Sequence, residues 1–459
     1  MEQEIHITLW FHLATGKVNL NEIVYRLQEL KNPLMLHVLE KILRKYDDLI
    51  AERLSRHGGV IPPSKRRKGL GRHVRKADPK GRYCHGRRIK KRGYRSHPRR
   101  FSTVFGKLDL PIRVAQCCVC GARYSPLLSA LKVSPYVRQE ANLEHQVIEA
   151  VIDTNYRRLI EGHSIDISLG GVHNVVVGSD IDRQDEVPVD LKNLSAIMAD
   201  GTGVKQQKGK KGELRAVIGV TTDGKVEPLG TFVNTQWNRI EDVIKERIKH
   251  STASGIPFIY DGEPGLDDFL SEATRTQRCT WHGPRGLYHS LWEDGLKKKD
   301  SQPQIDKLKH LIGIELPQED YDLLKKEDHQ TVRKQYESSK SGIMDLIALF
   351  KEKGYNHGAA YLENLTQRLF THVEIWLRTG VIAPKTTSLL ERIFREIGRR
   401  IKRIAWGWSD TAVSKLSKMI ILKKYSKEKW QQYWKQKLGI EGNFSIQVLQ
   451  VEICPCPHF

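Results

Sequence analysis

Residues 192 to 283 constrain the fold more than any other part of the chain, because apolar runs and turn signals alternate there most regularly. LSAIMADGTGVKQ (194–206), GELRAVIGVTTDG (212–224) and KVEPLGTFVNTQ (225–236) read as three strands. Asp223-Gly224 between the last two is a hairpin turn signal. RIEDVIKERIKH (239–250) has the apolar spacing of a helix, and IPFIYDGEPGL (256–266) reads as a buried strand ending in Asp261-Gly262. Three antiparallel strands, a helix and a parallel-type strand imply an α/β architecture on a mixed sheet.

Asp200 and Asp261 are expected at the ends of two apolar strands, whose neighbouring tips can hold both carboxylates around divalent ions. Such oxygen donors suit Mg²⁺ or Mn²⁺, and two ions about 3.5–4 Å apart stabilise the attacking and leaving oxygens of a phosphoryl displacement. The plainer alternative is that Asp-Gly only ends each strand in a turn, and Asp223 is assigned to that role. A third acid is expected from the helix in KTTSLLERIFREIGRRIKRIAWGW (385–408), with Ile393, Ile397, Ile401 and Ile404 as its apolar stripe. Glu391 and Glu396 flank that stripe on opposite sides, so periodicity leaves both open. Ser388 to Glu391 also matches a capping box, which would make Glu391 a helix-start residue. Arg392, Arg395, Arg399, Arg400, Lys402 and Arg403 form a basic face suited to a DNA backbone, or simply a solvated one.

The chain has 76 Lys and Arg against 54 Asp and Glu, a net charge of +22. Positions 61–100 alone hold seventeen Lys and Arg against Asp78, which leaves +6 for the other 419 residues. A block of this density, broken by Gly and Pro, repels itself but neutralises phosphates, so Arg66, Arg67, Lys68, Arg87, Arg88, Lys90, Lys91 and Arg92 are candidate DNA contacts. A solubilising linker or a patch for acidic lipid is the alternative. No apolar run approaches the roughly 18 residues of a membrane span, and MEQEIHITLW lacks a basic leader, so no membrane partner is expected.

Seven Cys are too few for a disulfide framework and fall in clusters, which suits a reducing compartment and metal binding. Upstream of the strands, residues 20–56 have helical spacing with Pro33 as a break between two helices. FSTVFGKLDLPIRVAQ (101–116) alternates like two strands turning at Gly106 and runs into CCVCG, where Cys117 and Cys120 have the spacing of half a structural zinc site. Cys84, His85 and His97 are the upstream candidates for the other half, Cys118 is a register-shifted competitor, and Cys454, Cys456 and His458 form a separate C-terminal group. The stretch from about Leu143 to Val177 fits a helix-turn-helix, and SDIDRQDEVPVD (179–190) reads as a linker.

Four motifs together resemble the DDE transposases of bacterial and archaeal insertion sequences, closest to the Mutator-like group. IMADGTGVK resembles that family's first-Asp strand (Asp200), FIYDGEPGL its second (Asp261), QRCTWHG its Cys-x-x-His motif (Cys279, His282), and TTSLLERIFREIGRR its Glu helix (Glu391). The resemblance spans roughly 101–425, and the 130 residues between Asp261 and Glu391 match the family's helical insertion. It implies an RNase H-like α/β catalytic domain with that insertion, preceded by helical, zinc-ribbon-like and helix-turn-helix-like DNA-binding regions. It further implies Asp200, Asp261 and Glu391 as catalytic ligands of Mg²⁺ or Mn²⁺, with Cys279 and His282 adjacent and structural Zn²⁺ possible at Cys117 and Cys120. The expected organisation is a helical element (1–60), a basic linker (61–100), a zinc-ribbon-like module (101–135), a helix-turn-helix-like region and linker (136–190), the first part of the core (191–286), the insertion (287–383), the Glu helix and a closing helix (384–430), and a tail (431–459). The implied activity is cleavage at element ends and strand transfer into target double-stranded DNA, by a homodimer or larger assembly in a prokaryotic, nucleoid-associated setting. A nuclease without strand transfer, or a non-catalytic DNA-binding regulator, are the alternatives.

Overall fold

The computed structural model describes residues 20–57, 59–60, 85–86, 89–118, 123–131, 133, 137–162, 165, 167–207, 210–248, 255–317, 326–402 and 408–439. Arg66, Arg67, Lys68, Cys84, Arg87, Arg88, Cys120, Arg403, Ile404, Cys454, Cys456 and His458 lie outside the described residues. The chain is mixed α/β with helix in the majority, and it divides into two compact units, residues 1–175 with 437–459, and residues 176–436.

In the first unit, helix α1 (Leu20–His57) runs unbroken through Pro33, where a break between two helices was expected. Its Leu36, Leu39, Leu43 and Ile50 pack on Leu108, Leu110, Ile112, Leu127 and Leu128, so tertiary packing outweighs the hydrogen bond that proline removes. Strands β1 (Gly59–Val60) and β2 (His85–Gly86) pair antiparallel. Strand β3 (Ile89–Tyr94) pairs with β6 (Arg113–Cys117), while β4 (Arg99–Thr103) and β5 (Gly106–Leu110) form the hairpin expected to turn at Gly106. Strand β7 (Arg123–Tyr124) follows, then helices α2 (Pro126–Ala130), α3 (Ala141–Asp153), α4 (Tyr156–Gly162) and α5 (Leu169–Gly178). Cys117 is fully buried in a small core with Ile89, Ala115, Tyr124 and Leu54. Cys118 is exposed.

The second unit is built on a five-stranded sheet of order β10-β9-β8-β11-β12. Strands β8 (Leu194–Lys205), β9 (Lys211–Thr221) and β10 (Val226–Val233) are antiparallel, and the Asp223-Gly224 turn joins the last two, with Gly224 at φ 79°. Strand β11 (Ile256–Tyr260) adds parallel to β8, and β12 (Thr274–Arg278) adds parallel to β11. Two boundaries differ from expectation. Strand β8 continues past Asp200-Gly201 to Lys205 because β9 stays paired with it that far, and β11 ends at Tyr260.

Helix α6 (Trp237–Ile248) presents Trp237, Ile240, Ile244 and Ile248 to one face of the sheet, against Ile197, Ala199, Phe258 and Tyr260. Each such buried side chain contributes about 1.5–3 kcal/mol. Because side chains alternate along a strand, Ala196, Met198, Asp200 and Ile259 point to the opposite face. On that face lies helix α12 (Ser388–Ile401), which packs on β8 through the side that buries Leu390, Ile393, Ile397 and Ile401. Between them in sequence come α7 (His282–Glu293), α8 (Lys298–Ile312), α9 (Lys326–Glu352), α10 (Asn356–Thr366) and α11 (Thr371–Thr379), the expected insertion, with its own core around Leu291, Leu308, Ile343, Phe350 and Trp376.

Helices α13 (Asp410–Tyr425) and α14 (Lys427–Leu438) close the unit, so the tail expected from 431 is helical to Leu438, with Trp430, Tyr433 and Trp434 buried. The segment read as a linker is also docked. A 3-10 turn at Ile181–Glu186 carries Asp182, which pairs with Lys418 at 2.6 Å and Lys415 at 3.4 Å. Among the described residues no helix is long and apolar enough to cross a membrane.

Candidate active site

The parallel strands set one row of side chains where β11 and β12 end against the middle of β8. Phe258 pairs with Ile197 and Ile259 with Met198, so the same register carried two residues on sets Asp261 opposite Asp200. Tyr260 pairs with Arg278, and the Cys279 N–H donates to the Tyr260 carbonyl at 2.8 Å, which puts Cys279 next in the row. The strand ends of open α/β sheets are where such folds place their ligands.

Gly262 explains why the second Asp is followed by glycine. Its φ is +109°, and a Cβ there would fall 1.9 Å from a guanidinium nitrogen of the buried Arg278. Gly201 serves otherwise: it lies within β8, where a Cβ would meet Glu213 at 2.9 Å and Glu263 at 3.2 Å. Arg215 holds these two acids, at 2.8 Å from Glu213 and 2.7 Å from Glu263. Glu263 also donates its backbone N–H to Asp261 Oδ1 at 2.9 Å, and burial raises its carboxyl above the usual range.

Asp200 is 8% exposed. Burial, and then the charge of Asp261, push its carboxyl up to about 7, although it accepts the Gly201 N–H at 2.7 Å. A buried and a half-buried carboxylate thus meet where β11 ends beside the middle of β8, and their donors are all oxygen. That chemistry fits a hard divalent ion, whose charge would relieve the conflict. Among the described residues no three His, Cys, Asp or Glu side chains already converge as a metal cage.

Glu391 reaches the site through His282, whose Nε2 is 3.7 Å from Glu391 Oε1. Glu396, left open by periodicity, is instead held by Arg399 at 2.5 Å and by Lys424 of α13 at 3.0 Å. The expected capping box is not formed. Thr387 is the N-cap and makes no capping side-chain bond, while Ser388 is the first helical residue. The buried Thr387 hydroxyl turns to Cys279 Sγ at 3.5 Å and His282 Nδ1 at 3.5 Å, and its backbone N–H donates to the same sulfur at 3.4 Å. Burial raises the Cys279 thiol, but hydrogen bonds from His282 and Thr387 outweigh it and leave the thiol below its ordinary value. The hydrogen bond to Cys279 is the main reason His282 is raised, with the charges of Cys279, Asp261 and Glu391 adding to it against burial.

The structure thus sets Asp261 by Asp200 and Cys279 by His282, while Glu391 approaches His282. Thr387 and Glu263 were not foreseen: Glu263 follows Asp261 by two positions in DGEPG, but nothing in the pattern marks Thr387. Of the basic face, Arg395 and Arg399 are exposed, whereas Arg400 is 6% exposed with its guanidinium 5.3 Å from the centre of the Trp408 ring. Arg400, expected on the basic face, is instead packed against Trp408. Lys90, Lys91 and Arg92 are exposed along β3.

No family model matches the chain, and no curated protein matches it. Among solved structures it is similar to the Drosophila P element transposase strand transfer complex, at 12% identity over 66% of this chain and 82% of that chain, with a TM-score of 0.23. A superposition that loose carries no functional weight.

Proposed function

We propose that this chain is a DDE transposase with an RNase H-like catalytic domain, of the Mutator-like kind found in insertion sequences. It cleaves phosphodiesters at element ends and transfers the freed 3′-OH to target DNA. The observation that carries the reading is the parallel register that runs Asp261 toward Asp200, whose carboxyl is raised in part by the charge of Asp261, together with Glu391 of a helix 130 residues downstream standing 3.7 Å from His282. Asp200, Asp261 and Glu391 would hold Mg²⁺ or Mn²⁺, which when bound activates water or the 3′-OH and stabilises the leaving oxygen.

The chain's own residues bind and orient. Thr387 and Cys279 fix the His282 ring, whose Nε2 stands 3.7 Å from Glu391. Arg395 and Arg399 face outward where a DNA backbone can lie, and the basic block supplies phosphate contacts. Joining two ends requires a homodimer or a larger assembly on DNA.

The test is cleavage and joining of DNA carrying the element's ends with Mg²⁺ or Mn²⁺. Asp200→Asn, Asp261→Asn and Glu391→Gln are expected to abolish both steps, and Glu396→Gln to retain them. Cleavage without joining would make the protein a nuclease. Binding with neither step would make it a DNA-binding regulator.

A further inference from the structure

Helix α7 begins at the site, with His282 as its first residue, and its outer face carries an arrangement that the carboxylates do not use. Trp281 and Trp292 are the two most exposed large hydrophobic side chains among the described residues, at 73% and 65%. Trp281 already has helical dihedrals, φ −76° and ψ −41°, so it is in phase with the helix that follows. At about 100° per residue, the exposed Trp281, Arg285, His289 and Trp292 fall within one stripe, while Tyr288 at its edge packs on the insertion core. The opposite side of the helix buries Gly283, Pro284, Leu287 and Leu291, which fixes the stripe outward. Thr280, just before it, is tied at both its N–H and its hydroxyl to the Lys385 carbonyl, at 3.0 and 3.1 Å.

The stripe is aromatic and basic together. Arg285 is exposed and makes no ion pair among the described residues; past Trp292 come Glu293, which lies 3.7 Å from His357, and Asp294, which accepts the His357 and Gly358 N–H groups, and then the exposed Lys297, Lys298 and Lys299. Tryptophans left this exposed on a well-packed helix mark a contact surface, and the accompanying cations select a polyanion. A duplex offers a tryptophan no base face, because its bases are stacked on one another. An unpaired strand offers one at every nucleotide.

We propose that this stripe is a track for unpaired DNA, with Trp281 stacking a base beside the carboxylates and Trp292 stacking a second further out. The proposal rests on the reading of Asp200, Asp261 and Glu391 as the cleavage site, since that is where the strand would lead. Eleven helical residues separate the two rings by about 16 Å, which at about 3.4 Å per stacked nucleotide corresponds to four or five nucleotides.

The experiment measures binding of the full-length protein to a forked DNA with a five-nucleotide unpaired arm and to a blunt duplex of the same sequence. Fluorescence anisotropy in Ca²⁺ keeps binding apart from cleavage. Trp281→Ala is expected to weaken binding to the fork between about fivefold and a hundredfold, with binding to the blunt duplex unchanged. Trp281→Phe, which keeps an aromatic face, should restore most of that loss, and circular dichroism confirms that each variant is folded. Trp292→Ala should matter for a five-nucleotide arm and not for a two-nucleotide arm.

Equal losses on fork and duplex, or no loss on either, would overturn the proposal. So would a change in sedimentation of Trp281→Ala with DNA binding intact, which would make the stripe a protein interface. Asp200→Asn should still discriminate the fork. A wild-type protein that prefers the fork but cuts nothing would leave the track standing and remove the cleavage reading, and one that cuts with Trp281→Ala binding normally would do the reverse.

Discussion

Asp200 carries the sharpest electrostatic conflict in the sheet, and its consequence for stability has a definite sign. Its carboxyl stands at about 7 in the folded chain against 3.8 for the free group. Between those values the folded state keeps a proton that the unfolded state releases, so stability falls as pH rises from about 4 to 7 and stays low above. The full penalty is on the order of 4 kcal/mol. Asp200→Asn, measured in EDTA, should therefore raise the melting temperature, more at pH 8 than at pH 5, and Mg²⁺ should stabilise the wild type but not the variant. Equal melting at both pH values would contradict the burial of a strained charge. Thr387 supplies a second test at this scale. Thr387→Val keeps the shape but removes the hydroxyl from Cys279 and His282, and is expected to slow cleavage about tenfold to a hundredfold with DNA affinity unchanged, because it loosens positioning and removes no ligand. An affinity loss matching the rate loss would argue against positioning.

Among elements, the turns and strand ends show which glycines are fixed by packing. Gly262 has positive φ and the Arg278 guanidinium where a side chain would start, whereas Gly224 has positive φ and open space. Gly262→Ala is expected to cost about 2 kcal/mol or more in urea unfolding and Gly224→Ala about 1 kcal/mol, the difference being the displaced arginine. Comparable losses would mean that Arg278 moves aside freely. Strand β12 shows why some elements escape sequence reading. TRTQR has no apolar alternation, yet Gln277 is fully buried and donates to the Leu369 carbonyl at 2.7 Å, while the His372 N–H donates to Gln277 at 2.9 Å. The strand is completed by backbone groups of the insertion, about ninety residues away. Helix α12 was legible as an amphipathic element, but only its docking on β8 turned Glu391 toward His282 and gave Glu396 to Lys424.

For the whole molecule, the concentration of charge in one block predicts strongly salt-dependent DNA binding. Replacing Lys90, Lys91 and Arg92 together by Gln should make the slope of log affinity against log salt shallower by about 0.9 for each phosphate left without its cation. An unchanged slope would place those three side chains away from DNA. The sequence by itself determined strands β8 to β11, the amphipathic helices and the charged block, because each rests on local periodicity or on composition. It singled out Asp200, Asp261, Cys279 and His282 by motif, yet misjudged Pro33 and the end of β8, where distant packing overrides local preference. Only the tertiary structure decided that Asp261 stands beside Asp200, that Thr387 ties the Glu helix to Cys279, and that Glu391 faces the site. Strand register and helix docking are fixed by contacts between residues far apart in the chain, and no local pattern carries that information.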